Sequence, residues 1–382
     1  MISVRYHYLI VSSIRVTTPA ATYDVTIAPG LLRNLYPRLR RLTPGKTPSH
    51  FVVTSPQIWA LWHKAFLASF PAAQQPTVLF LPSGESHKRL ATVESLAQQL
   101  ALAGADRDSI LLAFGGGVIG DVTGFLAAIY MRGIRYVGLP TTLLAQVDSS
   151  LGGKTGVNLP AGKNLIGAFH HPLAVFSDID TLATLPAAEL RSGLQEAIKS
   201  AIIRDAKLFR YMEQSTGSIL QSNPAALALV VTASVRVKAE VVSQDEKESG
   251  LRMVLNFGHT IGHAIEAATH YRKLLHGEAV AWGMIAALHV SLARQRITHE
   301  EFARMANLIL RYGPIPPFRV AATPQASAAR LVALTSADKK KRSGRRAFVL
   351  ATGIGRTEVA YDVTDAELLA ATQSMLQTMR QT

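Results

Sequence analysis

The feature that most constrains the fold is a change in the sequence pattern near residue 186. Before that point, short runs rich in β-branched residues alternate with stretches of helical periodicity, and glycine or proline marks the junctions. This alternation is typical of a mostly parallel sheet covered by helices. The predicted strands are Tyr23–Ala28, His50–Thr54, Thr77–Leu81, Ile110–Phe114, Arg135–Leu139 and Ala174–Asp178, and the predicted helices include Gln57–Ala68, Lys88–Ala103 and Ile119–Met131.

After residue 186, helical periodicity dominates. The predicted helices are Ala187–Arg204, Pro224–Val242, Phe257–Thr269, Gly277–Arg294, His299–Tyr312 and Thr364–Met379, and a β-like hairpin joins Arg346–Ala351 to Arg356–Ala360. We therefore predict an α/β domain over residues 1–186 and a mainly helical domain over residues 187–382, with the active site in the cleft between them. Residues 1–16 are interpreted as an extension that leads into the first strand, and their apolar run is too broken for a signal peptide.

Composition limits the class of protein and the ligands it can use. Apolar residues make up 48% of the 382 residues and charged residues 17%, which is typical of a globular protein rather than a disordered one. The absence of cysteine excludes disulfides and thiolate ligands, so a metal must be held by His, Asp, Glu or backbone oxygen. No apolar run reaches the length of a transmembrane helix, and we expect a cytoplasmic protein that does not bind a membrane.

The chain is strongly basic, with 40 Lys and Arg against 26 Asp and Glu and a formal charge of +14. Such a charge indicates either nucleic acid or an anionic small molecule as the ligand. The basic residues are dispersed, apart from Lys339–Arg342 and Arg345–Arg346, and no aromatic residues are interleaved with them. This pattern favours a small anion and leaves a basic nucleic-acid-binding protein as the weaker alternative.

The segment Leu111–Asp121 reads LLAFGGGVIGD, an apolar strand followed by glycines and the start of a helix. Glycines let the backbone approach a pyrophosphate, and a helix N-terminus offers free N–H groups to it. The spacing is not G-x-G-x-x-G, and a tight strand–helix turn is the alternative interpretation. Consecutive glycines at Gly115, Gly116 and Gly117 exceed what a turn requires, so we favour phosphate binding.

A second glycine-rich segment, Leu151–Asn158, carries Lys154, and Lys163 and Asn164 follow it closely. The segment does not satisfy the P-loop pattern. Lysine and asparagine side chains on glycine loops can form a cradle for an anion. Ordinary surface loops are the alternative for both segments.

Histidines cluster in the second half of the chain. His259 and His263 are four residues apart, which places both rings on one face of a predicted helix at a spacing that can chelate a metal. His276 follows after a short connection, and Glu196 lies on another predicted helix with Lys199 on the same face. Spacing alone makes His259 and His263 the ligand pair and leaves open whether His276 or Glu196 joins them.

Further charged residues precede this cluster. Arg252 and Asn256 fall one and two turns before His259 if the helix extends back that far, and Lys238 lies on the preceding helix. Arg252 or Lys238 taken alone would be interpreted as part of a solvated face. The charge run Asp245–Glu248 is interpreted as a solvated turn.

These segments together resemble the 3-dehydroquinate synthase family, which belongs to the sugar-phosphate cyclases. The matching stretches are collinear and run from about residue 80 to residue 355. They are GGGVIGDVTGFLAAIYMRGI (115–134), LPTTLLAQVDSSLGGKTGVN (139–158), GKNLIGAFH (162–170), LPAAELRSGLQEAIK (185–199), RMVLNFGHTIGHAIE (252–266), LLHGEAVAWGM (274–284) and DKK (338–340).

The resemblance implies an α/β, Rossmann-like NAD-binding domain followed by a mainly α-helical metal-binding domain. It also implies a carbon–oxygen lyase of the shikimate pathway that converts 3-deoxy-D-arabino-heptulosonate 7-phosphate into 3-dehydroquinate and phosphate. The implied steps are transient NAD oxidation, phosphate elimination, re-reduction and intramolecular aldol cyclisation. The implied cofactors are NAD and a divalent metal, either zinc or cobalt.

The resemblance also assigns roles to single residues. Glu196, His259 and His276 match the metal ligands, and His263 becomes a substrate-side or proton-transfer residue. Arg132 resembles an arginine that reaches the site of a neighbouring subunit, which implies a homodimer. The residues that match substrate contacts, or that complete the cleft around the substrate, are Asp148, Lys154, Lys163, Asn164, Lys199, Lys238, Arg252, Asn256 and Lys340.

A further set of residues matches NAD contacts in the family. These residues are Glu85, Lys88, Gly115, Gly116, Gly117, Val118, Asp121, Thr141, Thr142, Lys154, Lys163, Thr181 and Leu182. Ser55 and Leu159 depart from the family pattern, in which an Asp and a His are common at these positions. These departures leave open a related cyclase of secondary metabolism that acts on another sugar phosphate. A second alternative is an NAD- and metal-dependent polyol dehydrogenase of similar architecture.

Overall fold

The computed structural model describes the backbone of residues 11–341 and 346–381, together with the side chains of these residues except those of 336–341. The predicted substrate residue Lys340 and the basic clusters Lys339–Arg342 and Arg345 therefore lie outside the described side chains. The same is true of residues 1–10, which form most of the predicted extension.

The chain divides into two compact units. The first unit runs to Leu185 and also contains Leu227–Ser243, whereas the second contains Pro186–Ala226 and the chain from Gln244 onward. The predicted domain boundary at residue 186 was therefore wrong for Leu227–Ser243, which follow that boundary but belong to the first unit. These residues belong to the first unit because Lys238 Nζ donates to Asp148 Oδ1 over 2.7 Å and Ser243 Oγ accepts from the Thr17 N–H.

The first unit is built on a seven-stranded sheet in the order β1-β2-β9-β6-β5-β3-β4. Its strands are β1 (Ser12–Thr17), β2 (Thr22–Ala28), β3 (His50–Thr54), β4 (Thr77–Phe80), β5 (Ile110–Gly115), β6 (Arg135–Pro140) and β9 (Ala174–Asp178). All neighbours pair in parallel except β1 with β2, which form an antiparallel edge. This sheet confirms the α/β prediction, and the predicted strands match the observed ones to within one residue at each end.

Helices cover both faces of this sheet. The helices of the first unit are α1 (Leu35–Leu42), α2 (Pro56–Leu67), α3 (Leu90–Leu102) and α4 (Gly117–Ile129). Leu111 and Ala113 of β5 point toward α3 and α4, whereas Leu112 and Phe114 point toward α1 and α2. Because both faces are buried, a central strand such as β5 reads as a continuous apolar run without polar alternation.

Strand β1 shows that residues 12–16 were wrongly interpreted as an extension. Val16 is fully buried, and Ile14 pairs with Val25 of β2. The polar sequence SSIRVT gave little strand signal because β1 lies at the sheet edge, where alternate side chains face solvent.

The second unit is mainly helical. Its helices are α5 (Ala187–Arg204), α6 (Ala206–Gln214), α7 (Thr216–Leu220), α9 (His259–Ala268), α10 (His276–Ala293), α11 (His299–Arg311), α12 (Pro324–Lys341) and α13 (Asp365–Gln381), and α8 (Pro224–Gln244) continues from it into the first unit. Helix α10 packs against α5, α9, α11 and α13, and its apolar side chains are buried all round. The predicted hairpin is observed as β10 (Phe348–Gly353) and β11 (Arg356–Ala360), whereas α6, α7 and α12 were not predicted.

His50, the first residue of β3, carries a titratable ring into the apolar core of the first unit. The ring is buried beside Tyr36 and Phe70. Burial, together with the charge of Arg40, lowers the pKa of His50 to about 4. The native state therefore holds this imidazole neutral across the mildly acidic range.

We expect His50→Phe to weaken the acid sensitivity of folding. The folded pKa lies below the ordinary value of 6.5, so the unfolded chain binds a proton that the native state excludes, and stability falls as the pH drops from 6.5 toward about 4. At pH 5 this group should cost the wild type about 2 kcal/mol. Urea unfolding from pH 8 to pH 5 should give parallel curves above about pH 7 and a steeper wild-type decline below it. Equal slopes throughout would contradict a neutral buried His50.

Candidate metal centre and nucleotide-binding turn

Three helices of the second unit bring together Glu196, His259 and His276. One ligand atom from each residue lies within 4.8 Å of the others. Glu196 Oε1 is 3.7 Å from His259 Nε2 and 3.6 Å from His276 Nε2. Glu196 comes from the buried middle of α5, whereas the two histidines are the first residues of α9 and α10.

The donor set fits a divalent cation. Among the described residues, Glu196 Oε1 has no hydrogen-bond partner although its side chain is only 1% exposed, while Oε2 pairs with the Lys199 ammonium. A buried carboxylate oxygen without a partner is costly, and a cation at this position would remove the cost. Burial, followed by the charge of Lys199, holds the pKa of His259 well below its ordinary value, so its ring is neutral and can donate a lone pair.

His263 occupies a different place from the other two histidines. It is exposed, with its ring centroid 5.2 Å from that of His259 and 6.1 Å from that of His276. In the described part of the chain, it shares a possible ligand group with Glu266 and His276 but not with Glu196. The four-residue spacing of His259 and His263 therefore places both rings at the cluster without placing both in one ligand group.

Glu266 is a residue of this cluster that the analysis of sequence patterns missed. Its side chain is buried, and Oε2 lies 3.4 Å from His276 Nδ1, on the ring edge opposite the nitrogen that faces Glu196. Glu266 follows His263 by three residues and His259 by seven, a spacing that puts all three on one helix face. That spacing was the available signal.

Close helix packing depends on two glycines of α10. A Cβ atom on Gly283 would lie 1.9 Å from the carbonyl oxygen of Gly258, and one on Gly277 would lie 2.0 Å from that of Ser192. Both neighbouring atoms belong to the backbone and cannot rotate away. The absence of these side chains lets α10 contact α9 and α5 directly, and these are the helices that carry the candidate metal ligands.

In the first unit, the glycine segment forms the turn between β5 and α4. Gly116 precedes the first helical residue, Gly117, and no side chain caps the free N–H groups at this helix start. A Cβ on Gly116 would lie 3.0 Å from Thr142, and one on Gly117 would lie 3.0 Å from Ser149. The turn borders a cavity of about 410 Å³, which includes space open to solvent. Further residues along this cavity are Gly115, Gly120, Asp121, Lys154 and Thr155.

A partly buried ion pair lies beside this turn. Lys88 Nζ donates to Asp121 Oδ2 and to Asn164 Oδ1, each over 2.5 Å. Burial raises the pKa of Asp121, even though the Lys88 ammonium acts in the opposite direction. Lys88, Asp121 and Asn164 come from distant parts of the sequence, and the structure brings them into one contact.

The second glycine-rich segment is a hairpin rather than a pair of loops. Strands β7 (Lys154–Leu159) and β8 (Gly162–Phe169) form a two-stranded antiparallel sheet. Gly156 and Gly167 face each other, and a Cβ on Gly167 would lie 2.2 Å from the Thr155 carbonyl oxygen. These glycines therefore serve strand pairing.

Asp148 and Lys238 are paired within the first unit. Lys238 Nζ donates to the backbone oxygen of Asp148 over 2.7 Å as well as to its carboxylate. Asp148 lies in the π-helical turn Ala145–Ser149, and Lys238 is only 6% exposed. Interpreting Lys238 as part of a solvated face was therefore wrong.

Arg252 and Asn256 lie on a short 3-10 helix, Leu251–Asn256, that is separate from α9. Gly258, at φ +79°, has a left-handed backbone, so α9 begins at His259. Helix α9 therefore does not include Arg252 or Asn256. Asn256 Nδ2 donates to Glu248 Oε1 over 2.6 Å. Arg252 is 2% exposed and contacts the carbonyl oxygen of Glu246, so a solvated face was also wrong for this residue.

Asp245 stabilises the turn between α8 and this 3-10 helix through backbone hydrogen bonds. Its carboxylate accepts the backbone N–H groups of Ser249, Gly250 and Arg252 over 2.9, 2.7 and 2.9 Å. Burial alone would raise the pKa of Asp245, but these hydrogen bonds lower it to about 2. The solvated-turn interpretation of Asp245–Glu248 was wrong for Asp245 and Glu246, which are both buried.

Four of the remaining predicted NAD residues of the first unit follow strand ends. Thr141 and Thr142 follow β6, and Thr181 and Leu182 are buried in the 3-10 helix after β9. Val118 lies in the first turn of α4, and Asn158 Nδ2 donates to Glu85 Oε1 over 2.7 Å.

Three other positions of interest lie in the first unit. Arg132, at φ +67°, lies in the turn after α4, where Ile129 and Met131 are exposed. Ser55 caps α2 by accepting the Ile58 N–H over 3.3 Å, so this departure has a structural role. Leu159 ends β7.

The fold of the chain is similar to that of solved sugar-phosphate cyclases. A solved 2-epi-5-epi-valiolone synthase from Streptomyces hygroscopicus subsp. jinggangensis 5008, with NAD+ and Zn2+ bound, has a TM-score of 0.84 and 30% identity, covering 94% of this chain and 98% of that chain. The family models for the N-terminal and C-terminal parts of 3-dehydroquinate synthase match residues 78–192 and 193–341. The chain belongs to the 3-dehydroquinate synthase family.

Curated relatives extend this similarity to almost the whole chain. The 3-dehydroquinate synthase of Solibacter usitatus (strain Ellin6076) is 45% identical over 366 residues, which cover 94% of this chain and 98% of the relative. That of Koribacter versatilis (strain Ellin345) is 46% identical over 362 residues, covering 94% and 97%. The protein is therefore an enzyme. Within the described residues, no helix has the length and apolar character needed to cross a bilayer.

Proposed function

We propose that this enzyme converts 3-deoxy-D-arabino-heptulosonate 7-phosphate into 3-dehydroquinate and phosphate, as a carbon–oxygen lyase that uses NAD and a divalent cation, zinc or cobalt. The observation that carries the proposal is the buried Glu196 carboxylate, whose Oε1 faces His259 and His276 in a chain of this family. When bound, NAD supplies reversible hydride transfer and the cation supplies Lewis-acid polarisation of a substrate hydroxyl.

In the second unit, the residues of the cluster have separate tasks in this proposal. Glu196, His259 and His276 bind the cation through one carboxylate oxygen and two imidazole nitrogens. The Lys199 ammonium pairs with the second carboxylate oxygen of Glu196 and contacts the substrate. His263 is exposed beside the two ligand histidines, so it can exchange a proton with substrate without leaving the cation unligated.

In the first unit, the glycine turn binds the dinucleotide. Gly116 and Gly117 leave room for the pyrophosphate, and the uncapped start of α4 donates N–H groups to it. Lys88 and Asp121 contribute a fixed ion pair beside the turn. The remaining NAD contacts in the proposal are Glu85, Gly115, Val118, Thr141, Thr142, Lys154, Lys163, Thr181 and Leu182.

Basic and amide side chains recognise the substrate, which carries a carboxylate and a phosphate. Arginine and lysine bind such groups through charge-assisted hydrogen bonds, which also accounts for part of the +14 charge. The proposed enzyme is a homodimer, in which Arg132 reaches the site of the neighbouring subunit. Its proposed location is the cytoplasm. The proposed substrate residues are Lys154, Lys163, Asn164, Lys199, Lys238, Arg252, Asn256 and Lys340, together with Asp148, the ion-pair partner of Lys238.

A stoichiometric assay tests the proposal. The purified protein is incubated with NAD, Zn2+ or Co2+ and 3-deoxy-D-arabino-heptulosonate 7-phosphate. We expect phosphate and dehydroquinate in equal amounts with no net NADH, and no turnover after chelation of the metal. Net NADH would instead support a polyol dehydrogenase, and salt-sensitive DNA binding without turnover would support a nucleic-acid-binding protein.

One relative favours a second candidate substrate. The 2-epi-5-epi-valiolone synthase structure is 30% identical to this chain, so the second candidate is a related cyclase that acts on another sugar phosphate. A second sugar phosphate, offered in the same assay, distinguishes the two candidates. Turnover of that sugar phosphate, with the heptulosonate inert, would replace the proposed substrate and keep the cyclase chemistry.

Glu266 gives a prediction for metal affinity. It contacts His276 Nδ1 and so orients the ring whose Nε2 faces Glu196. Partners of this kind are typically worth 10–100-fold in metal affinity. We expect Glu266→Ala to weaken Zn2+ binding about tenfold or more and Glu266→Gln to weaken it less, as measured by chelator competition. Unchanged affinity in Glu266→Ala would show that Glu266 does not support the ligand.

A further inference from the structure

Asn158 occupies an irregular position in the β7–β8 hairpin. Regular pairing ends at Val157 with Ile166 and resumes only at Leu159 with Gly162. Asn158 lies at this bulge, and its backbone N–H donates to the Lys88 carbonyl oxygen over 2.8 Å. Bulges redirect a side chain away from the alternation of a regular strand.

Both ends of the Asn158 amide are used by groups of fixed polarity. Its Nδ2 donates to Glu85 Oε1 over 2.7 Å, and its Oδ1 accepts the Asn164 N–H over 2.9 Å. A carboxylate can only accept and a backbone N–H can only donate, so the amide satisfies both partners in one orientation. Asn158 therefore ties the turn Glu85–Lys88 to the start of β8.

The hydrogen bond to Asn164 acts on a residue with a left-handed backbone. Asn164 has φ +54°, a conformation that asparagine adopts more readily than most residues that carry a side chain. Its Oδ1 accepts from Lys88 Nζ, which also contacts Asp121. The contacts close a ring from Asn158 through Asn164 and Lys88 back to the Asn158 N–H, with Glu85 held at its side.

We propose that Asn158 is a positioning residue that fixes Glu85, Lys88 and Asn164 in place before a ligand binds. This inference rests on the proposed function, in which Glu85 and Lys88 contact NAD and Asn164 contacts the substrate. Asn158 touches each of them directly through a hydrogen bond and has no role of its own in the proposed chemistry. Preorganisation of this kind contributes affinity by removing the cost of ordering the groups during binding.

Asn158→Ala tests the proposal with two main readouts, NAD affinity and hydrogen exchange. Removing one charge-assisted and one neutral hydrogen bond should raise the NAD dissociation constant about tenfold, as measured by calorimetry. Hydrogen exchange of residues 160–169 should become faster, while the thermal midpoint stays close to that of the wild type. The KM for substrate should rise more than kcat falls, because the reacting groups remain present.

A donor–acceptor exchange provides the rescue. In the double variant Glu85→Gln with Asn158→Asp, the new amide donates to the new carboxylate, which still accepts the Asn164 N–H. The double variant should bind NAD more tightly than additivity of the two single variants allows. Asn307→Ala, on the exposed face of α11, is the matched control and should leave both readouts unchanged.

The outcomes separate this inference from the proposed function. Unchanged NAD affinity in Asn158→Ala, with or without faster exchange, would overturn the positioning role. A wild-type protein without NAD affinity would refute the proposed function instead. Hydrogen exchange would then decide alone whether Asn158 orders the hairpin, and an unchanged rate would overturn that too.

Discussion

His276→Ala should lose bound metal and activity together, whereas His263→Ala should lose activity and keep most of its metal. His276 Nε2 is 3.6 Å from Glu196 Oε1, inside the group that fits a cation, whereas His263 is exposed at its edge. Losing one of the proposed ligands should weaken Zn2+ binding by at least 100-fold, because Glu196 and His259 alone form an incomplete site. Loss of a proton-transfer group should lower kcat by about 10²–10⁴-fold.

Metal content by elemental analysis, set beside phosphate release, distinguishes the two variants. His299→Ala, at the exposed start of α11, controls for removal of a histidine as such and should retain both metal and activity. Equal metal loss in His263→Ala and His276→Ala would show that the four-residue pair His259 and His263 binds the metal after all.

Gly283→Ala should destabilise the second unit by about 3 kcal/mol, at the upper end of overpacking effects. The added Cβ would lie 1.9 Å from the Gly258 carbonyl oxygen and 2.8 Å from the Gly262 nitrogen, so α9 and α10 must separate. Because His259 and His276 begin these two helices, the variant should also bind Zn2+ more weakly at temperatures where it remains folded.

Gly217→Ala is the matched control for this substitution. Gly217 lies on α7 in the same unit, and nothing comes within 4 Å of an added Cβ. Alanine there should be neutral or stabilising by up to about 1 kcal/mol. Chemical unfolding measures both variants, and equal stabilities would show that α9 and α10 can move apart at little cost.

The alternation of strands and helices predicted the sheet well because its central strands are buried on both faces. Ile110–Phe114 was recognisable as a strand without knowing its neighbours. Strand β1 was not recognisable, because its sequence is polar and it forms a strand only by pairing with β2 at the sheet edge. The division into units was also hidden, because it depends on where Lys238 and Ser243 make contacts rather than on local sequence.

The candidate site was less predictable from spacing, because spacing reports on one helix at a time. It found His259 and His263 on α9, but Glu196 and His276 come from α5 and α10. Only the family resemblance added Glu196 and His276 to the predicted metal ligands. Their role as ligands remains a prediction. Asp245 shows a different limit, since a charge run gives no sign that backbone N–H groups will bury its carboxylate.

The path of α8 bears on how this protein can be made and divided. Leu227–Ser243 completes the first unit but is synthesised after Pro186–Ala226 of the second. A ribosome must therefore release part of the second unit before the first can finish folding, so the two cannot mature strictly in order. A fragment ending at Leu185 would lack Lys238, and Asp148 would keep its carboxylate without that counterion.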